Sequence, residues 1–214
     1  MDRDRTPAGH ALVEEIAHAA THGVGFALSL VGSAALMLAA REGDAVERVA
    51  AAVFGATLIL LYAASTLYHA LPVGRAKEVF RRLDHAAIFV LIAGSYTPFA
   101  LVTLRGGFGV GLLATVWALA AVGVVLATAL PHRTRRHMVL LCLGMGWLAA
   151  LAARPLVAAL PGPALSLLVA GGLVYTLGVV FYAWHRPFHH AVWHAFVMGG
   201  SACHFACVLG YVIR

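Results

Sequence analysis

Charged residues are scarce in this sequence of 214 residues. Asp, Glu, Lys and Arg make up 11% of it, whereas hydrophobic residues make up 62%. A soluble domain carries about 25% charged residues. A water-soluble fold of this length could not bury so much apolar surface, so the composition excludes that class and indicates a protein whose solvent is the bilayer.

The sequence also has few cysteines, and no basic region directly precedes its first apolar stretch. The three cysteines, Cys142, Cys203 and Cys207, all lie in long apolar stretches, and we expect them to be small packing residues and not disulfides or metal ligands. The first apolar stretch follows Glu14 and Glu15 and is too long for the core of a signal peptide. A cleaved signal peptide is therefore not expected.

Seven stretches of the sequence lack Asp, Glu, Lys and Arg. A transmembrane helix needs about 17–25 consecutive, mostly apolar residues, and each stretch is long enough. They predict an all-α membrane protein that forms a single domain over residues 1–214, with a cytoplasmic segment at 1–15. Residues 10–18 have the mixed pattern of a segment lying at the membrane interface. Pro98 is expected to kink the third helix, and three prolines before Ala164 place the start of the sixth helix near that residue. The predicted spans are 20–40, 49–71, 84–104, 108–130, 137–153, 164–184 and 190–212.

The net charge of +6 follows the loops and gives no reason to expect nucleic-acid binding. Ten of the Lys and Arg residues lie at the N-terminus or in the loops after spans 2, 4 and 6, and five lie on the other side. Basic residues beside membrane spans concentrate on the cytoplasmic side. The asymmetry predicts a cytoplasmic N-terminus, an outer C-terminus and a multi-pass protein of the cell (plasma or inner) membrane.

Polar residues within the predicted spans form three clusters near the predicted cytoplasmic face. Ser65 and His69 share one face of span 2, Asp84 begins span 3, and His190 and His194 share one face at the start of span 7. Ionisable residues inside membrane helices are costly and usually functional. Three histidines with a nearby carboxylate are what a catalytic zinc site requires, and no Asp or Glu follows Asp84 in the chain.

Simpler interpretations exist for each of these residues. A membrane histidine often forms only an interhelical hydrogen bond, and Asp84 could cap its helix or pair with the preceding arginines. Ser65 could bond a carbonyl of its own helix. The common depth of the clusters favours one zinc site with His69, His190 and His194 as ligands. Glu15, His18 and His22 form a stripe that either supports this site or only lines an interface.

The ordered motifs resemble those of the bacterial hemolysin III family, which is part of the progestin and adipoQ receptor group that includes the adiponectin receptors. The resemblance is carried by seven motifs, at residues 14–23, 65–69, 82–85, 93–99, 144–147, 171–175 and 190–194. It implies seven helices, zinc held by His69, His190 and His194, and Asp84 contacting the metal through a water. In the more distant alkaline ceramidases, a serine at the place of Ser65 stabilises the reacting group. Bacterial relatives often have Glu at position 191, where this chain has Ala191.

The leading functional hypothesis is a zinc-dependent hydrolase of lipid amide or ester bonds that affects membrane lipid state. Asp84 would accept a proton, Ser65 would donate a hydrogen bond to the oxyanion, and the lipid substrate would enter from the bilayer between helices. The first alternative is a non-enzymatic lipid sensor or regulator with structural zinc. The second is a cytolytic, hemolysin-like activity, against which seven spans without a secretion signal argue.

Overall fold

The computed structural model describes residues 8–129, 135–184 and 186–213, and all the regular structure in these ranges is helical. Within them, seven helical segments are long and apolar enough to cross a membrane. The α-helices are α1 (Ala8–Ala39), α2 (Ala45–Ala70), α3 (Arg75–Pro98), α4 (Gly107–Ala129), α5 (Arg135–Trp147), α6 (Ala153–Ala159), α7 (Gly162–Ala183) and α8 (His189–Tyr211).

The first helix differs from the prediction at its N-terminal end. Residues 10–18, expected as an interfacial segment before span 1, are continuous with the span in α1. The alternation of polar and apolar residues in this part reflects one helix whose two faces meet different surroundings. The polar stripe of α1 therefore enters the bundle on the same rigid helix as the apolar residues.

Prolines shape the third, fifth and sixth spans. Pro98 is the last α-helical residue of α3, and a π-helical turn (Phe99–Thr103) completes that span. The fifth span extends over Arg136–Ala159, beyond the predicted end at residue 153, because α5 continues through a 3-10 turn into α6. Pro155 lies in the first turn of α6, where the missing N–H costs no helical hydrogen bond. For the same reason Pro163 is accommodated in the first turn of α7. This helix begins at Gly162, two residues before the predicted start.

Short connections join consecutive antiparallel helices. At the turn before α2, the Asp44 side chain accepts a hydrogen bond from the backbone N–H of Glu47 at 2.9 Å. It also forms an ion pair with Arg105, at 2.8 Å. The Glu47 N–H and then the Arg105 guanidinium lower the pKa of the Asp44 carboxyl. This turn fixes the start of α2 at the end of the bundle opposite to the polar clusters.

Small residues allow close helix contacts, and apolar side chains cover much of the outside. A Cβ at Gly94 of α3 would lie 2.7 Å from Cγ2 of Thr57 on α2, so these helices touch where the glycine leaves room. Val31, Leu38 and Leu151 are mostly exposed, as expected for side chains that face lipid. Six of the ten buried polar residues found in the described ranges, including every buried His and Asp, lie instead near one end of the bundle, where α1, α3 and α8 begin and α2 ends.

Candidate metal centre

The polar end of the bundle brings together histidines from two helices that are distant in sequence. His69 lies in the last turn of α2, and His190 and His194 lie in the first turns of α8, one helical turn apart. One ligand atom from each of the three lies within 4.8 Å of the other two. The sequence-predicted histidines thus form one compact group that could hold a metal ion.

The burial of these rings supports a ligand that the protein itself does not supply. Both ring nitrogens of His69 are buried; Nδ1 lies 3.4 Å from Oε2 of Glu15, and Nε2 has no hydrogen-bond partner among the described residues. A buried polar atom without a partner is costly, and such atoms usually bind an ion or an ordered water. The three imidazoles therefore fit a zinc ion, for which histidine nitrogen is a preferred ligand.

His194 has one ring nitrogen that is already occupied. Its Nδ1 lies 3.1 Å from Oγ1 of Thr21 and 3.3 Å from the carbonyl oxygen of His18. Because the carbonyl can only accept, this contact favours a proton on Nδ1 and leaves the Nε2 lone pair for a metal. Metal-binding histidines commonly donate their second N–H in this way. Thr21 was not predicted, because its role depends on a contact between α1 and α8.

Asp84 is a buried residue well inside a helix. Its helix begins at Arg75, nine positions earlier, so Asp84 is not a helix cap. The preceding arginines, Arg81 and Arg82, pair with Glu78 instead. The Asp84 carboxyl interacts electrostatically with His85 and His69 and faces the Ser65 hydroxyl. The two simpler interpretations of this carboxylate are therefore excluded, and it lies beside a candidate metal ligand.

Ser65 is fully buried one turn before His69. Its hydroxyl makes no well-formed hydrogen bond to any described residue, including the carbonyl of its own helix and the Asp84 carboxyl that it faces. Thr57 and Thr66 on the same helix do bond backbone carbonyls. Ser65 thus retains an unused donor at the candidate site.

The stripe of α1 faces the same group of histidines. The His18 ring lies 4.8 Å from that of His69 and 4.8 Å from that of His190, measured between centroids. His22 stacks on His194 with 3.5 Å between ring centroids. Oε2 of Glu15 lies 3.4 Å from Nδ1 of His69, and Glu15, His18 and His69 form a second group that could hold a metal. All three residues of this stripe therefore adjoin the candidate centre.

Lys77 is a further residue of the site that the sequence did not indicate. Its ammonium group contacts Glu15 at 2.5 Å and donates to the carbonyl oxygens of Tyr68 and Leu71 at the end of α2. Lys77 therefore ties Glu15 to the helix that carries His69. In the sequence, Lys77 is one of the basic residues beside the spans that indicate membrane orientation, which is why this role was not predicted.

Two other histidines of α8 lie outside the group. Nε2 of His204 lies 3.3 Å from the carbonyl oxygen of Leu168, in keeping with the packing role expected for it. Nδ1 of His189 lies 2.8 Å from the carbonyl oxygen of Trp184. The centre therefore draws on the His190 and His194 face of α8 alone.

Comparison with known proteins identifies the family of this chain. The family described as Haemolysin-III related matches residues 10–205. The chain belongs to the hemolysin III family. It is 45% identical over 203 residues to the Hemolysin-3 homolog of Bacillus subtilis (strain 168), covering 94% of this chain and 95% of that protein. It is 46% identical over 202 residues to Hemolysin-3 of Bacillus cereus, covering 94% and 92%.

More distant similarity extends to animals. The monocyte to macrophage differentiation factor of Homo sapiens is 28% identical over 208 residues, covering 94% of this chain and 85% of that protein. The predicted resemblance is thereby confirmed. With seven apolar helices in the described part of the chain, this hemolysin III family member is a multi-pass membrane protein, and a bacterial plasma membrane is consistent with its relatives.

Proposed function

We propose that this protein is a zinc-dependent hydrolase of lipid amide or ester bonds. The observation that carries the proposal is the grouping of His69, His190 and His194 beside a buried carboxylate, Asp84. Bound zinc would polarise the scissile carbonyl and lower the pKa of a water molecule toward neutrality. A lipid is the proposed substrate because the centre lies within the membrane-spanning helices.

The roles of Asp84 and Ser65 follow from their surroundings. Asp84 interacts with His69 and not with the neighbouring arginines, so its carboxylate is available to accept a proton from water. The Ser65 hydroxyl faces the Asp84 carboxyl without a well-formed hydrogen bond to any described residue, and it can donate to the oxyanion that develops on the substrate. Each side chain would supply one of the two functions that hydrolysis needs besides the metal.

Two apolar cavities between helices could take up the acyl chain of a substrate that enters sideways from the bilayer. A groove of about 490 Å³ between α5 and α7 is lined by apolar residues, including Leu143, Val179 and Trp184. A smaller cavity of about 40 Å³ shares Val179 with the groove and reaches His85, the residue after Asp84.

The proposed orientation places the centre near the cytoplasmic face. The centre lies at the end of the bundle that carries the N-terminus and the loops after spans 2, 4 and 6, which hold ten of the fifteen basic residues. The positive-inside rule assigns this end to the cytoplasm. The N-terminus would then be inside and the C-terminus outside.

Replacing Asp84 by Asn tests the proposed chemistry. Asn is nearly isosteric and forms hydrogen bonds, but it cannot accept the proton. Defined ceramides, acyl amides and lipid esters would be incubated with purified wild-type and Asp84→Asn protein in bilayers. We expect wild type to release fatty acid and the variant to release it about 10²–10⁴-fold more slowly while retaining zinc. No release by wild type across the panel would contradict the hydrolase proposal.

A lipid sensor with structural zinc is the second candidate. It is favoured by the position of the centre, where α1, α2 and α8 meet and a metal would tie their ends together. This candidate predicts zinc retention, no hydrolysis and full cellular function in the Asp84→Asn variant.

A further inference from the structure

A buried hydrogen bond joins the two helices that carry the histidines of the candidate centre. The Tyr62 hydroxyl on α2 donates to Oγ of Ser201 on α8 at 2.8 Å, and both residues are buried. Within the part of the chain that the structure describes, no other hydrogen bond links α2 directly to α8. Because the bilayer core holds no water to compete with it, a bond of this kind defines how two membrane helices meet.

The bond lies at the same distance from the histidines along both helices. Tyr62 precedes His69 by seven residues on α2, and Ser201 follows His194 by seven residues on α8. Seven residues make almost two helical turns, so each bonding residue shares the face of its histidine and lies about 10 Å further from the polar end. Because α2 ends and α8 begins at that end, the two spacings match. The hydrogen bond and the histidine pair are therefore satisfied by one and the same register of the two helices.

The ring of Tyr62 also contacts α1. The His22 ring packs edge-on against it, with 5.1 Å between ring centroids. A Cβ at Gly25 would lie 2.6 Å from Cδ1 of Tyr62, so the ring rests directly on the α1 backbone. His22 in turn stacks on His194. Tyr62 thus reaches His194 by two routes, through Ser201 along α8 and through the His22 ring.

We propose that Tyr62 is a positioning residue of the metal centre, whose hydroxyl sets the register of α2 against α8 by its bond to Ser201. The proposal rests on the metal site of the proposed function but not on hydrolysis. The ring centroids of His69 and His194 lie 5.2 Å apart. Sliding one helix along the other by a single residue would move these rings by about 1.5 Å, which is large beside a zinc–nitrogen bond of about 2.0–2.1 Å.

A second tyrosine on the same serine provides a matched comparison. The Tyr175 hydroxyl on α7 lies 2.7 Å from Oγ of Ser201. Neither candidate metal group among the described residues includes a residue of α7. The Tyr175 contact therefore holds α7 against α8 without setting the spacing of the histidines. Loss of either hydroxyl removes one buried hydrogen bond at Ser201, but only the loss at Tyr62 should affect the metal.

The zinc affinity of the folded, purified full chain, measured by competition with a chelator, tests the proposal. Tyr62→Phe keeps the ring and removes only the hydroxyl, and Ser201→Ala removes its partner. We expect both variants to lower the affinity to a similar extent, by about 3–20-fold, the range that corresponds to the strength of hydrogen bonds between membrane helices. Tyr175→Phe should keep the wild-type affinity.

Cobalt substitution adds a measurement that a general loss of stability would not change. The visible absorption of bound Co²⁺ depends on the geometry of its ligands. The bands should shift in Tyr62→Phe and Ser201→Ala, and they should match the wild-type bands in Tyr175→Phe. If Tyr62→Phe does not fold, Ser201→Ala compared with Tyr175→Phe decides the question, because the two variants differ in the contact with Tyr62.

Two results would overturn the proposal. One is a wild-type affinity with unshifted cobalt bands in Tyr62→Phe. The other is an equal effect of Tyr62→Phe and Tyr175→Phe, which would show that the hydroxyls only stabilise α8. A wild type that binds neither zinc nor cobalt would overturn the metal site of the proposed function as well, whereas the first two results would overturn only the role of Tyr62.

Discussion

Glu15 connects a candidate metal ligand to a positive charge. Its carboxylate lies 3.4 Å from Nδ1 of His69 and contacts the ammonium group of Lys77. A carboxylate at the second nitrogen of a metal-binding imidazole fixes the orientation of the ring and increases its basicity. Glu15 therefore acts on the metal through His69 in our account.

Replacing Glu15 by Gln should weaken zinc binding without abolishing it. We expect the zinc affinity, measured by competition with a chelator, to fall about 10–100-fold, as is typical when such an outer partner is lost. Glu14→Gln, on the adjacent position of α1, is the control and should leave the affinity unchanged. An unaltered affinity in Glu15→Gln would show that Glu15 does not support His69.

Some residues of the centre could be predicted from sequence and others could not. Polar side chains within apolar spans stand out, and so His69, Asp84 and His194 were identified. Thr21 and Lys77 act through partners on other helices, which no spacing along one helix reveals. Another set missed for this reason is a buried hydroxyl network, in which Tyr62 and Tyr175 both contact Ser201.

At the scale of helices, the contact of α2 with α3 depends on a glycine. A Cβ at Gly94 would lie 2.7 and 2.8 Å from Cγ2 and Cβ of Thr57, too close for real atoms. These two helices carry His69 and Asp84, so their separation also sets the geometry of the centre.

Adding one methyl group at Gly94 should therefore destabilise the protein. We expect Gly94→Ala to lower the free energy of unfolding by about 1–3 kcal/mol, the usual cost of overpacking. Gly111→Ala is the control, because a Cβ there meets nothing within 4 Å and alanine favours the helix. Thermal unfolding in detergent measures both, and equal transition temperatures for the two variants would argue against this packing.

Helix number was easier to predict than helix ends. Charge-free stretches identify seven spans because a charge in the bilayer core is expensive. The start of α3 at Arg75 was missed, because its first turns carry the charges of Lys77, Glu78 and Arg81. Charged residues do not mark the end of a helix that extends beyond the apolar layer. The N-terminal part of α1 shows the same effect.

For the whole molecule, orientation is the property that decides which compartment the centre faces. The prediction depends on the distribution of ten basic residues against five. A reporter that is active only outside the membrane should be active when fused after residue 214. Its matched fusion in the loop after span 2 should be inactive. The reverse pattern would place the centre at the outer face.

The central claim is that His69, His190 and His194 hold a zinc ion. Zinc content of the purified protein, measured by mass spectrometry, tests it most directly. We predict about one zinc per chain in wild type and in His204→Ala, whose imidazole lies outside the centre. The double variant His190→Ala, His194→Ala should contain none. Zinc retained at the wild-type level in a folded double variant would contradict the account.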